Sequence, residues 1–374
     1  VALLNGEIPL TGQSRLGRWP VSVPSVDIHS IGAGGGSVAK VDAAGMLLVG
    51  PESAGARPGP ACYDQGGSEP TVTDANLLLG CIPANTLLGG YLPLNISAAE
   101  TVMTKLANDM GCNVLDAARG VIQMANEHMA RALRVISVER GYNPADYTLL
   151  CFGGAGGLHA CDLAELLSMK RVVIPVRSGV LSALGMLVSE PGRELSQAVL
   201  LPLASLADKD IGQRFKLLEA DARAQLQDEG CAPDSIVFMR QLELRYKGQS
   251  ATISINWFAG GEHEEGFHLA HARASGMRLP YPVELVNVRL SARAPAALAS
   301  IDFQQGAQES RAAERVFMPG LGCEVRLYKR NSLEMDKLLQ GPLILVETAA
   351  TAWIKPGWSV KTDAWGNLLL QYSD

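Results

Sequence analysis

Residues 148–169, TLLCFGGAGGLHACDLAELLSM, decide the fold class of this chain. The short apolar run 149–152 predicts a buried strand, and apolar residues recur at helical spacing from Leu158 to Leu167. The glycines between them can adopt positive φ and let a ligand approach the backbone closely. A strand that passes through glycines into a helix predicts an α/β fold, with a helix N-terminus suited to an anion. A tight turn that binds no ligand is the alternative.

Another glycine loop lies earlier in the chain, at residues 27–37, DIHSIGAGGGS; it is the first glycine loop, and residues 153–157 form the second. Two glycine loops that each contain little charge favour a nucleotide cleft. The glycines that we expect to contact the nucleotide are Gly153, Gly154, Gly156 and Gly157 in one loop and Gly34, Gly35 and Gly36 in the other.

The segment after the predicted helix 158–167 predicts how the strand at 149–152 pairs. Residues 171–175 predict a second buried strand, and residues 178–188 predict a helix of small residues. Strand, helix and strand in this order imply a parallel crossover. After Pro191 the pattern changes to amphipathic helices and alternating strands, and from Arg315 short strands alternate with turns.

Composition excludes several classes of function. The chain has 374 residues, enough for two or three domains, and 47% of them are hydrophobic. A net charge of −6 argues against a nucleic-acid partner, which requires a basic face. No apolar run reaches the length of a membrane span, so no membrane partner is expected. Seven scattered cysteines without a CxxC pair favour reduced thiols and a cytoplasmic location.

Three polar residues are candidates for the reacting end of the cleft. Asp27 and His29 belong to the first glycine loop, where His29 either lines a ligand pocket or is a hydrogen-bonded structural residue. Asp74 precedes an apolar run, which favours a role in capping a helix and leaves projection into a site as the alternative. Cys62 as a nucleophile is a weaker alternative.

No metal site is expected. His29 has no second histidine or cysteine nearby at a ligand spacing. His268 and His271 stand three residues apart on a predicted helix and could in principle ligate a metal, but no zincin-type pattern accompanies them.

Taken together, several motifs resemble the A-type hydantoinase/oxoprolinase family over the whole chain. That family includes the A subunit of ATP-dependent N-methylhydantoinase, the N-terminal half of 5-oxoprolinase, and subunits of acetone and acetophenone carboxylases. The motifs are VDIHSIGAGGGS (26–37), GPACYDQGG (59–67), EPTVTDANLLLG (69–80), ALRVISVERGYNP (132–144), FGGAGGLHA (152–160), LRYKGQS (244–250) and PVELVNVRLSA (282–292).

The resemblance implies an actin-like ATPase fold, with two RNase-H-like lobes and ATP between them. Residues 1–195 would form the second such lobe, residues 196–300 an α+β domain and residues 301–374 a β-rich module. Relatives carry two phosphate loops of the form GGT-x-TD, which this sequence lacks. With a strand of a hairpin about Asn5-Gly6 as its opening, the chain is therefore expected to be truncated at its N-terminus. Most of the Mg²⁺ site is expected in the missing part.

The resemblance implies ATP-dependent hydrolysis of a small cyclic amide, such as a hydantoin or 5-oxoproline, with a B-type subunit as partner. An ATP-dependent ketone carboxylase subunit is the alternative enzyme. A non-catalytic truncated remnant or scaffold is the alternative from another class. The sequence leaves open which amide or ketone is used, the oligomeric state, whether Val1 is a natural start and whether the chain is active alone.

Overall fold

The chain divides into two units, residues 1–182 with 303–374 and residues 183–302. The computed structural model describes residues 10–11, 14–16, 19–21, 25–296 and 313–373. The helices are α1 (Val72–Leu79), α2 (Ile96–Met110), α3 (Val114–Ile136), α4 (Gly156–Leu166), α5 (Leu181–Val188), α6 (Asp208–Asp228) and α7 (His263–Ser275). The strands are β1 (Leu10–Thr11), β2 (Ser14–Leu16), β3 (Trp19–Val21), β4 (Ser25–Val26), β5 (Ser37–Val41), β6 (Leu47–Ser53), β7 (Leu149–Leu150), β8 (Arg171–Ile174), β9 (Gly192–Pro202), β10 (Val237–Tyr246), β11 (Ile253–Asn256), β12 (Val283–Arg293), β13 (Glu314–Met318), β14 (Cys323–Lys329), β15 (Leu339–Gln340), β16 (Leu343–Glu347), β17 (Ala350–Ile354), β18 (Trp358–Thr362) and β19 (Leu368–Tyr372).

The predicted strand–helix–strand segment is present as β7, α4 and β8. The two strands pair in parallel, with Leu149 opposite Val172, as the crossover argument predicts. They belong to a five-stranded sheet of order β15-β18-β19-β8-β7. One face of α4 and this sheet share a core that includes Leu163, Val172 and the fully buried Trp358.

The C-terminal strands do not form the separate module that we expected for residues 301–374. Strand β19 pairs antiparallel with β8, and residues 303–374 group with the first unit. The physical reason is that two short parallel strands are marginal alone, and β8 gains a partner on its open side from β19. A second sheet of order β13-β14-β16-β17 belongs to the same unit, and its strands β14 and β16 are parallel.

Helices α1, α2 and α3 pack together over the hairpin of β5 and β6. Their core is built from small and aliphatic side chains, among them Ala75, Met103 and Val121. Close helix packing of this kind suits alanine-rich faces, because small side chains let the backbones approach. Gly80 and Gly111 end α1 and α2 in the left-handed conformation that favours glycine.

The second unit is an antiparallel sheet of order β11-β10-β12-β9 with α6 and α7. Alternate residues of β10 and β12 are buried, and Phe215 of α6 and Phe267 of α7 share their core. The helices and alternating strands predicted after Pro191 are therefore confirmed, with α6 and the pair of β10 and β11 as examples. The boundary between the two units falls within α5. The second unit therefore begins at Ala183 and not at residue 196 as expected.

Part of the prediction lies outside the described residues, namely the hairpin about Asn5-Gly6 and the boundary near residue 300. Within the described ranges, no helix combines the length and the apolar character needed to cross a membrane.

Candidate functional site

The second glycine loop joins β7 to α4 and exposes backbone to open space. Gly153 has φ 91°, which requires glycine, and a side chain there would meet nothing within 4 Å. Its N–H donates to the carbonyl oxygen of Ser178 at 2.8 Å, which joins the loop to the segment that follows β8. Ala155 precedes the first residue of α4, and no side chain caps this helix. Uncapped N–H groups at a helix start can bind an anion.

Two other glycines of this loop are explained by packing. A Cβ on Gly157 would stand 2.8 Å from the carbonyl oxygen of Thr351 and 2.8 Å from the Cβ of Ala352. A Cβ on Gly154 would stand 2.9 Å from the carbonyl oxygen of Ala349. These two glycines therefore allow α4 and its loop to lie directly against β17, whatever else the loop binds. A Cβ built on Gly156 would stand 3.1 Å from the sulfur of Cys151.

Replacing Gly157 with alanine is expected to lower the free energy of unfolding by about 2 kcal/mol, because the new methyl group overlaps the backbone of β17. Gly34→Ala is the matched control, since a Cβ there meets nothing within 4 Å. Urea unfolding of both variants measures the difference, and equal stability of the two would contradict the close contact of α4 with β17.

Hydrogen bonds to Ser37 within the loop and from Thr73 of α1 hold the first glycine loop in place. The N–H of Gly34 donates to Ser37 Oγ at 3.0 Å. The N–H and Oγ1 of Thr73 both donate to the carbonyl oxygen of Gly35, at 2.8 and 2.9 Å. Gly36 packs against Ser53, whose Oγ would stand 2.9 Å from an added Cβ. Of the three predicted glycines in this loop, only Gly34 faces open space.

The two glycine loops converge. A Cβ built on Gly35 would lie 4.0 Å from the Cβ of Ala155, the residue that precedes α4. The loops come from segments about 120 residues apart, and both present backbone with little side-chain cover at Gly34 and Gly153. This arrangement leaves space for one ligand against the backbone of both loops.

Asp27 and His29 lie at the start of the first loop. Arg140 donates to both carboxylate oxygens of Asp27, with 3.2 Å between Nη2 and Oδ1. These hydrogen bonds hold the pKa of Asp27 below its usual value. His29 is half-buried in the same loop. A catalytic role for Asp27 or His29 stays a prediction.

The catalytic role considered for Asp74 is not supported by the structure. Its carboxylate is fully buried and accepts from the N–H groups of Ala61, Cys62 and Thr71, at 3.3, 2.8 and 3.0 Å. It also accepts from Thr71 Oγ1 at 2.7 Å, in a capping box at the start of α1. A carboxylate occupied by four donors and shut off from solvent has no lone pair to offer a substrate. Asp74 is a structural residue that fixes the loop before α1.

One weaker alternative, Cys62 as a nucleophile, is also not supported. Cys62 is fully buried, and burial together with the nearby carboxylate raises the pKa of its thiol, so it does not supply a thiolate nucleophile. His268 uses Nδ1 with the hydroxyl of Tyr246 at 2.7 Å, and His271 uses Nδ1 with the carbonyl oxygen of Met277 at 2.9 Å. The described residues contain no cluster of three metal-ligating side chains.

A cleft of about 960 Å³ that no sequence motif indicated opens beside the second glycine loop. It lies where four strands end: Arg177 follows β8, and the last residues of β14, β16 and β18 are Lys329, Glu347 and Thr362. The carboxyl ends of similarly directed strands are the usual place for a ligand in α/β proteins.

The floor of this cleft contains a buried arginine. Arg330 donates to Glu347 Oε1 at 2.9 Å and to the carbonyl oxygens of Ile174 and Gly366 at 2.8 and 2.9 Å. Burial lowers the pKa of Arg330 from its usual value, and Glu347 opposes that change. Glu347 also accepts from Ser178 Oγ at 3.1 Å, so the floor is tied to the residue that binds Gly153. These residues are far apart in sequence and carry no motif that could have indicated them.

A buried histidine stands in the first turns of α4. His159 is 4% exposed, and its Nδ1 lies 2.7 Å from Asn126 Oδ1. The amide nitrogen of Asn126 donates to Asp162 at 3.1 Å, so its oxygen faces the imidazole and His159 is the donor. Burial lowers the pKa of His159 to about 4, which Asp162 partly offsets. Lys355 donates to Asp162 at 2.5 Å, which connects the network to the segment after β17.

Fold and site together define a mixed α/β protein whose candidate site is built from the backbone of two glycine loops beside a strand-end cleft. Residues 1–194 match the family model described as Hydantoinase/oxoprolinase. The chain belongs to the hydantoinase/oxoprolinase family, as its motifs predicted.

Comparisons with individual relatives support the same family. The chain is 35% identical to the caprolactamase alpha subunit of Pseudomonas jessenii, over 92% of this chain and 52% of that subunit. It is 38% identical to the acetophenone carboxylase gamma subunit of Aromatoleum aromaticum, over 62% of this chain and 33% of that one. The crystal structure of ATP-dependent caprolactamase from Pseudomonas jessenii is similar with a TM-score of 0.69 and 32% identity, over 98% of this chain and 56% of that chain. The chain thus spans about half the length of the caprolactamase subunit and a third of the carboxylase subunit.

Proposed function

We propose that this chain is the ATP-binding part of an enzyme that hydrolyses a small cyclic amide. The convergence of the two glycine loops carries the proposal, because Gly34 and Gly153 leave open space beside their backbone next to the uncapped start of α4, which suits an anion. The lobes would be those of an actin-like ATPase. The likeness to ATP-dependent caprolactamase supports both ATP and the cyclic amide.

The reaction would proceed by activation of the amide oxygen. That oxygen attacks the γ-phosphorus of ATP, the bond to the leaving oxygen of ADP breaks, and an O-phosphorylated imidate forms. Water adds to the electrophilic carbon, the C–N bond breaks as the nitrogen takes a proton, and an acyl phosphate remains. A second water releases phosphate and the ring-opened amino acid. Phosphoryl transfer depends mostly on positioning and charge stabilisation, which suits a site made of backbone groups.

Mg²⁺ would accompany ATP, bound chiefly through the phosphates, as is usual for this ion. The backbone of Gly36, Gly154, Gly156 and Gly157 would also lie near the nucleotide, while the packing described above keeps both loops in place. Hydrolysis of the activated amide would take place in a complex with a B-type subunit, in the cytoplasm. The two subunit names among the relatives support a multi-subunit assembly.

A ketone carboxylase subunit is the second candidate, favoured by the 38% identity to the acetophenone carboxylase gamma subunit. The two candidates differ in the co-substrate that they consume. ATP turnover that needs a lactam and water supports the amidase, whereas turnover that needs a ketone and bicarbonate supports the carboxylase.

ATP binding tests the nucleotide site directly. Calorimetry on this chain, and on the longest open reading frame that contains it, is expected to show binding that Gly34→Val weakens at least tenfold. A valine there occupies the open space without meeting a neighbour at its Cβ. ATP at a hundred times its Kd should also stabilise the wild type by roughly 2.7 kcal/mol.

Gly185→Val is the control for this experiment, since its Cβ position is also open and it lies in α5, outside both glycine loops. Unchanged ATP affinity in Gly34→Val would remove the first loop from the site. Absence of ATP binding in both wild-type proteins would remove the nucleotide proposal.

A further inference from the structure

Two buried polar atoms at the strand-end cleft lack hydrogen-bond partners. Within the described residues these are Nε of Arg330 and Oγ1 of Thr362, and the third such atom belongs to the second unit. Arg330 is 9% exposed and Thr362 is 4% exposed, and both line the cleft. Buried polar groups are nearly always paired, so two unpaired groups on one cleft point to a ligand that pairs them.

The positive charge of Arg330 on this floor already has a partner. The guanidinium of Arg330 already faces Glu347 at 2.9 Å, and both side chains are largely buried. What remains is a single N–H donor from Nε and a hydroxyl that can accept. A neutral group that carries one acceptor and one donor would satisfy both atoms.

The walls favour a small ring. Val180 and Leu333 line the cleft with apolar surface, and the indole of Trp365 is 69% exposed at its rim. A cavity with apolar walls and a few placed polar groups is typical of small-molecule sites.

We propose that this cleft binds the cyclic amide itself, with Arg330 Nε–H donating to the ring carbonyl and Thr362 Oγ1 accepting from the ring N–H. A small lactam holds its amide in the cis form, so that C=O and N–H lie on one edge of the ring, which an open-chain trans amide does not offer. The inference rests on the proposed function and locates its substrate beside the loop that binds ATP, since Glu347 joins Arg330 to Ser178 and Ser178 accepts from Gly153.

Thr362→Val tests the assignment, because it removes the hydroxyl and keeps the shape. Caprolactam and 5-oxoproline serve as probes, with binding measured by calorimetry on the chain in its complex. We expect at least a tenfold loss of affinity for both probes, unchanged affinity for ATP, and a melting temperature equal to or above that of the wild type. The last result is expected because an unpaired buried hydroxyl does not stabilise the empty protein.

Ser359→Ala is the control, because it removes a buried hydroxyl on β18 that does not line the cleft. Val180→Trp fills the cleft from its wall and is expected to abolish lactam binding without touching the floor. Unchanged lactam affinity in Thr362→Val and Val180→Trp would overturn the assignment. A loss of ATP affinity in place of lactam affinity would also overturn it, because the ring in the cleft would then be adenine. If the wild-type protein binds ATP and the variants give either of these results, only the assignment of the cleft fails, and the proposed function is not contradicted.

Discussion

Asp74→Ala is expected to lower the free energy of unfolding by roughly 3–5 kcal/mol, the largest effect of any single change considered for this chain. Removal of the carboxylate leaves three backbone N–H groups and the hydroxyl of Thr71 without their acceptor in a site that water does not reach. Hydrogen bonds to a charged acceptor are stronger than neutral ones, and several are lost together. Urea unfolding at neutral pH measures the change.

Asp109→Ala is the control, because Asp109 is exposed near the end of α2 and its removal should change stability by about 0.5 kcal/mol at most. The result also decides between the two roles considered for Asp74. A variant with full stability and no ATP-dependent turnover would restore Asp74 as a catalytic residue. A destabilised variant agrees with the buried capping box.

The stability of the first unit should fall on acidification between about pH 6.5 and pH 4, by roughly 3 kcal/mol from His159 alone. The unfolded chain binds a proton on this imidazole near pH 6.5, whereas the folded protein binds it only near pH 4 because of burial. The unfolded state therefore holds more protons throughout this window, and the loss levels off below it.

Unfolding at a series of pH values in wild type and His159→Gln measures this slope. The difference between the two proteins isolates the contribution of His159. His128→Gln is the control, because it makes the same substitution at an exposed histidine on α3. Parallel curves for wild type and His159→Gln would show that His159 is not held neutral by its surroundings.

The local features of the fold could be predicted from the sequence. Periodicity and glycine placement located β7, α4 and β8, and their order predicted the parallel pairing. The predicted helix start near Asp74 also agrees with α1. These features are encoded by residues close together in the chain, where spacing alone determines which face is buried.

The remaining features depend on contacts that no local pattern encodes. Gly157 and Gly153 are alike in sequence, yet one is required by the backbone of β17 and the other faces open space. The pairing of β8 with β19, and the meeting of Arg330 with Ile174, join segments more than 150 residues apart. A single sequence does not indicate which distant strand completes a sheet, so the cleft and its floor were missed.

The late arrival of β19 has a consequence during synthesis. Strand β8 ends at Ile174, but its antiparallel neighbour begins only at Leu368, after the entire second unit has been made. At about 5–20 residues per second, the ribosome leaves that edge of β8 without β19 for roughly 10–40 s. A nascent chain with an unpaired hydrophobic strand is prone to pair with another copy of itself. Chaperone demand should therefore peak while residues 183–302 emerge, and a slowly translated second unit should lower the yield of folded protein.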